Sequence, residues 1–272
     1  MRFPILRFGV VSTVVDTSFR SSLGRVGTEI GYYLGTLVEC VVKPTSAELV
    51  TQLMLNQLDA AWVSPVVALD CGSKRVAFPR IAVIRQHEID YHAVLFSRED
   101  SSVRSLADLR GARAAWVSPE SASGYIVPLA SLRARGVSLS KVFASQTFFG
   151  SHEAVTRAVA EGKADVGASF AHFDDTAMRS VVSASWTEAN INATFRVLLS
   201  AGPIPTDVIV IHKSMDEPRQ QAVVDAFAKL CSKPEIAASA YSVFHCDGFV
   251  GCGDEHIQGL RKLTRLLDTA ER

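Results

Sequence analysis

Three short stretches place small hydroxyl residues where an apolar, strand-like run gives way to a helical one. Ala61-Trp62-Val63-Ser64-Pro65 is the first. The second is Trp116-Val-Ser-Pro-Glu-Ser121-Ala-Ser123-Gly124-Tyr125, and the third is Phe148-Phe-Gly-Ser151-His152-Glu153. At the start of a helix the first backbone amides lack intrahelical partners, and the peptide dipoles leave a partial positive charge there. An anion or tetrahedral oxyanion can be held at such a place without Lys or Arg. Ser121 and Ser123 would donate through their hydroxyls, and Gly124 would let the backbone approach closely. His152 beside the Ser151 cap would be a neutral or cationic donor. Tyr91, flanked by Asp90 and His92, would present a phenol at the edge of a strand. The competing reading of each turn is plain capping, since Ser is a preferred N-cap residue in any helix.

Covalent and metal chemistry find little support. The chain has no Gly-x-Ser-x-Gly elbow, no His-Glu-x-x-His, no phosphate loop and no dinucleotide fingerprint. The one metal-like cluster is His245, Cys246, Cys252 and His256, within HCDGFVGCGDEH. Its spacings match no standard zinc module, and its glycines point to a loop, so it reads as incidental thiols. The expectation is a chain with no catalytic residues, no metal and no cofactor.

The elements that must position these turns alternate in type. Strands are expected at Arg7–Val11, Val38–Lys43, Asp59–Val63, Arg80–Arg85 and Tyr91–Ser97. Further strands fall at Ala112–Val117, Lys141–Thr147, Ala164–Ser169, Phe195–Ser200 and Val208–His212. Helices are expected at Val26–Leu37, Leu106–Leu109, Gly124–Arg135, His152–Glu161, Glu217–Ser232 and Asp254–Ala270. Thr45-Ser-Ala-Glu48 reads as a capping box for a helix that presents Leu49, Leu53, Met54 and Leu58 on one face. Regular strand–helix alternation implies α/β layers with mostly parallel strands, in which ligands bind beyond the carboxyl ends of strands. No short tandem repeat stands out.

The whole chain of 272 residues carries 28 Lys+Arg against 28 Asp+Glu. Such neutrality, with charges dispersed, argues against a nucleic-acid partner. The longest stretch free of Asp, Glu, Lys and Arg is Ser121–Leu132, only 12 residues. A membrane span needs about 20, so no insertion is expected. Arg7 interrupts the first apolar run before a secretory signal can form. The chain is therefore read as cytoplasmic, or as a mature form whose leader has been removed. Five cysteines without framework spacing are more consistent with reduced thiols than with a disulfide scaffold.

Several separated motifs then line up with one family. SLADLRGARAAWVSPESASGYIVPLASLRARGV, from Ser105, is followed by FFGSHEAVTRAVAEGKADVGAS, and Pro203-Ile-Pro-Thr-Asp207 comes later. Together they resemble the substrate-binding proteins of phosphate, phosphite and phosphonate ABC transporters, a group of the type 2 periplasmic-binding fold. The resemblance implies two α/β lobes, each a mixed, mostly parallel sheet flanked by helices, with the ligand cleft between them. Lobe one would comprise 1–96 and 206–272, and lobe two 97–205. It also implies hinge closure on a small oxyanion, recognition by an ABC permease or a sensor protein, and a periplasmic setting. Carried over residue by residue, Ser121, Ser123, Gly124 and His152 would bind from lobe two, Tyr91 from the hinge side and Ser64 from lobe one. Asp207 would lie near the ligand's substituent. The family's middle Thr is Ala122 here. Losing one charge-assisted hydrogen bond would weaken phosphonate binding about tenfold or more. A cytoplasmic small-ligand sensor and a biosynthetic enzyme on the same fold are the alternative readings.

Overall fold

The computed structural model describes residues 4–13, 15–174 and 181–268, with side chains described through residue 261. Elements are numbered along the chain. The first stretch runs β1 (Leu6–Val11), α1 (Thr17–Leu34), β2 (Val38–Lys43), α2 (Ser46–Met54), β3 (Ala60–Val63), α3 (Pro65–Ser73) and β4 (Ala77–Ile84). Then come β5 (Asp90–Arg98), β6 (Ala112–Trp116), α4 (Val127–Ala134), α5 (Leu139–Val142), β7 (Phe143–Phe148) and α6 (His152–Ala160). Next are β8 (Val166–Phe173), β9 (Val181–Ala184), α7 (Ser185–Glu188) and β10 (Phe195–Pro205). The chain closes with β11 (Val208–His212), α8 (Glu217–Ala228), α9 (Pro234–Phe244), β12 (Gly248–Gly251) and α10 (Glu255–Asp268).

These elements form two compact units. Unit one is 1–89 with 205–258, and unit two is 90–204 with 259–272. The passage into unit two therefore falls at the start of β5 rather than at 97. Strand β5 pairs along its length with β8 and belongs wholly to the second sheet. The segment from Gly259 groups with unit two, not with the first lobe as the resemblance implied.

Unit one is a six-stranded sheet in the order β12-β4-β11-β3-β1-β2. Strands β1, β2 and β3 are parallel; β11 runs antiparallel to both β3 and β4, and β12 antiparallel to β4. Leu6, Phe8 and Val10 alternate onto a face packed by α1, α8 and α9. There Phe8, Phe227, Phe244 and Phe249 meet in edge-on and tilted contacts. Unit two is a sheet ordered β10-β5-β8-β6-β7, with β9 on β8. Period-two alternation divides its core between two faces: Leu95, Trp116 and Val166 on one, Val94, Phe96, Val155 and Val159 on the other. The architecture is thus mixed α/β, two sheets flanked by helices, as expected, but the strands are not mostly parallel: β4, β5, β9, β11 and β12 all pair antiparallel.

Both units lock their first and third parallel strands by the same device. In unit one Arg7 clamps Asp59 through its backbone amide (2.7 Å) and two guanidinium nitrogens (3.1 and 2.8 Å). In unit two Arg113 clamps Asp165 through the same three groups at 2.8, 3.0 and 2.7 Å. The partners lie 52 residues apart in each case.

Several expectations are corrected. Helix α1 starts at Thr17, not Val26, because the Asp16 carboxylate caps it, accepting from the Phe19 amide at 2.7 Å. Met54 is 57% exposed and Leu58 lies beyond the end of α2, so neither extends that helix's apolar face as read. The helix expected at Glu217–Ser232 ends at Ala228, followed by a short 3-10 turn at Leu230–Ser232 and the unforeseen α9. The supposed loop around Cys246 contains strand β12. Among the described residues no helix is long and apolar enough to cross a membrane.

Candidate functional site

The turn after β6 is built differently from an ordinary helix start. The Ser121 hydroxyl oxygen accepts from the Gly124 amide at 3.0 Å, and the Ile126 amide donates to the Ser121 carbonyl at 3.0 Å. Ala122–Ile126 is therefore a single π-type turn leading into α4. Such wide turns are concentrated at functional sites. Its tightness has a cause: a Cβ on Gly124 would stand 2.3 Å from a Val117 methyl, so no larger residue fits without displacing backbone. Ser123, only 1% exposed, is held inside the turn.

The other unit-two candidates gather at the same end of the sheet. Strands β6, β7 and β8 are parallel, so the turn after β6, the start of α6 after β7 and the end of β8 lie at one edge. Strand β5 runs antiparallel to β8 and begins there, with His92 opposite Ala171. At this end Ser151 caps α6, accepting from the Ala154 amide at 3.1 Å. His152 Nδ1 lies 2.8 Å from the Ser169 hydroxyl, and its ring meets Phe170 edge-on. Ser169 is fully buried, so this contact fixes the rotation of the imidazole. The Tyr91 ring lies 6.3 Å from the His172 ring, which in turn contacts Phe170. Ser121, Ser123, Gly124, His152 and Tyr91 are therefore brought to one sheet end, and the π-type turn packs against both β5 and β8.

Ser169, Phe170 and His172 were missed by sequence reasoning. Their signal was the strand pattern of β8, which continues to Phe173, beyond the Ser169 end expected for it.

The two unit-one candidates sit at one end of their own sheet, since Val208 pairs with Val63. Ser64 is committed to capping α3, accepting from the Val67 amide at 3.4 Å. Asp207 is committed to an ion pair: Arg85 Nη2 donates to its carboxylate at 2.6 Å and to the Phe244 carbonyl at 3.1 Å, while Nε donates to the His245 carbonyl at 2.9 Å. Near them Val11, Ser12, Asp16, Ser18, Trp62 and His245 line a cavity of about 350 Å³. The Trp62 indole N–H is buried and has no hydrogen-bond partner among the described residues. Burial, reinforced by Arg85, holds the His245 pKa below the ordinary imidazole value.

The His245, Cys246, Cys252 and His256 set does not assemble. Among the described residues no three His, Cys, Asp or Glu side chains are placed to hold a metal ion.

Comparison with known proteins gives the family. The family described as the periplasmic substrate-binding protein of phosphonate ABC transporters matches residues 8–257. The chain belongs to this family. It is 25% identical over 240 residues to the phosphonates-binding periplasmic protein of Escherichia coli, covering 86% of this chain and 68% of that one. In fold it is similar to a binding protein component of an ABC phosphonate transporter from Pseudomonas aeruginosa. That match has a TM-score of 0.73 and 19% identity over 99% of this chain and 89% of the other. It is also similar to PhnD1 from Prochlorococcus marinus, solved in complex with methylphosphonate. Here the TM-score is 0.74 with 15% identity, covering 97% of this chain and 98% of the other. Membership makes the protein a substrate-binding component of an ABC transporter, a role consistent with oxyanion binding and a periplasmic setting.

Proposed function

We propose that the chain binds a small phosphorus oxyanion at the unit-two sheet end, without turning it over, and delivers it to an ABC permease from the periplasm. The observation that carries this reading is the π-type turn after β6. Its capping group, Ser121, is uncharged, Ser123 is sequestered within it, and His152 is oriented by Ser169 at the same sheet end. The hydroxyls, the turn amides and the imidazole supply donors to an anion, and Tyr91 closes the edge through its phenol.

The substituent on phosphorus is small and uncharged in this proposal. An ammonium group would call for an available carboxylate, and Asp207 already faces the Arg85 guanidinium at 2.6 Å. Methylphosphonate and phosphite fit this requirement better than 2-aminoethylphosphonate. Ser64 and Asp207 have secondary parts, since one caps a helix and the other holds Arg85.

Isothermal titration of the purified chain with methylphosphonate, phosphite, phosphate, sulfate and 2-aminoethylphosphonate tests the reading. The expected result is saturable binding of methylphosphonate or phosphite, at least tenfold tighter than 2-aminoethylphosphonate and sulfate. Absence of binding to every phosphorus compound would overturn the proposal.

A further inference from the structure

Cys231 and Cys246 bracket helix α9, yet their thiols meet. Past Phe244 the chain turns at His245, in the left-handed region at φ 51°, and folds back along the helix. The Cys246 thiol there lies 3.9 Å from the Ala240 carbonyl. At the other end the 3-10 turn at Leu230–Ser232 also folds back, packing on α9 and on β12. The Cys231 and Cys246 side chains are thereby brought within hydrogen-bonding reach of each other, in one core cluster of unit one.

Both segments are held independently of the cysteines. The Cys231 side is tied to α1 by the Tyr33–Ser232 hydroxyl contact at 3.3 Å and by the Lys233–Glu29 ion pair at 2.8 Å. The Cys246 side is tied by Arg85 to the Phe244 and His245 carbonyls and by Asp247, which accepts from the Gln86 amide at 2.5 Å. Two sulfurs facing each other on anchored backbone need little rearrangement to bond. Two of the other thiols lie in different surroundings: Cys40 faces the Leu23 carbonyl at 3.8 Å, and Cys71 is a buried residue of α3.

We propose that Cys231 and Cys246 are a disulfide-forming pair, closed by thiol–disulfide exchange with a small-molecule or protein disulfide. Cys231, the more accessible of the two, attacks as thiolate and breaks the donor's S–S bond, forming a mixed disulfide and releasing one thiolate. Cys246 then gives up its proton and attacks the Cys231 sulfur, releasing the second thiolate. The two protons from the cysteines and the two electrons end on the donor, which leaves as two thiols. This order follows the environments. The Cys246 hydrogen bond holds the Cys231 pKa below its ordinary value, whereas that same contact and burial push Cys246 up. The bond would rivet the C-terminal turn of α9, and with it the carbonyls that hold Arg85 against Asp207.

The test uses the intact chain, incubated with oxidised glutathione and then titrated with a maleimide in denaturant. The expected result is loss of two of the five reactive thiols, with peptide mapping giving a Cys231–Cys246 link. Closing a loop of this length should raise Tm by about 5–10 °C, reversed by dithiothreitol. Cys231→Ser should abolish both effects, while Cys252→Ser should leave both intact. Retention of all five thiols, a persistent glutathione adduct at Cys231, or a link through any other cysteine would each overturn the proposal.

Discussion

The two units begin with the same plan and diverge at one helix start. Each has three parallel strands, β1-β2-β3 and β6-β7-β8, locked by an Arg–Asp clamp of matching geometry. After β1, unit one enters a regular helix whose N-terminus is already met by a carboxylate, Asp16. After β6, unit two enters a π-type turn capped by the uncharged Ser121 and containing the buried Ser123. An anion approaching α1 meets the capping carboxylate, whereas at the Ser121 turn the capping group itself carries no charge. On the proposed reading, the difference between the two junctions is the charge that each places at its helix start. Ser64 is also a capping serine, but it is followed by Pro65 and a regular helix rather than a π-type turn.

The largest effect should come from making unit two resemble unit one. Ser121→Asp keeps a capping acceptor but adds a negative charge, and should weaken methylphosphonate binding about 100-fold or more in calorimetry, with Tm little changed. Removing single donors should cost less. Ser123→Ala and His152→Ala should each weaken binding about tenfold or more, the value of one charge-assisted hydrogen bond. Gly124→Ala tests the turn's shape, since its Cβ would lie 2.3 Å from Val117. It should lower the unfolding free energy measured in urea by an amount typical of overpacking, about 1–3 kcal/mol, and weaken binding as well.

The clamps give the smallest and most symmetrical test. Burial pushes the Asp59 carboxyl up, but hydrogen bonds and charge from Arg7 outweigh this and hold its pKa below the ordinary value. Hydrogen bonds from Arg113 hold Asp165 low as well. Carboxylates depressed in the folded state contribute stability that is present above their unfolded pKa of about 4 and is lost as pH falls through the folded value. The urea midpoint should therefore drop below pH 4, and Asp59→Asn and Asp165→Asn should each flatten that drop. At pH 7 Asp59→Asn should cost about 1–3 kcal/mol. Asp165→Asn should cost less, because its clamp is more open to solvent.

Much of this was legible in the chain. The Ser121–Gly124 and Ser151–His152 turns, the strands around them and the Thr45 cap follow from local periodicity and capping chemistry, which act over a few residues. Contacts made across the sheet left no such trace. Ser169 under His152, Arg85 on Asp207 and Trp62 against the unit-one cavity depend on which strands become neighbours. Helix α9 was unread because Pro234, which often ends a helix, here begins one, a position where its missing amide costs nothing. The contact of Cys246 was hidden for a related reason. Cys252 is near in sequence but lies beyond β12, while the thiol in contact with Cys246 is Cys231, 15 residues earlier in the chain.

The claim at the centre of this account is that the serine-capped π-type turn after β6 is what holds the oxyanion. A methylphosphonate titration followed by thermal shift, run side by side on the unaltered chain and on Ser121→Asp, tests it most directly. At 100 times Kd the unaltered chain should gain about 2.7 kcal/mol, a rise of several degrees, and Ser121→Asp should gain almost nothing. Equal shifts in the two proteins would contradict the account, placing the anion elsewhere in the molecule.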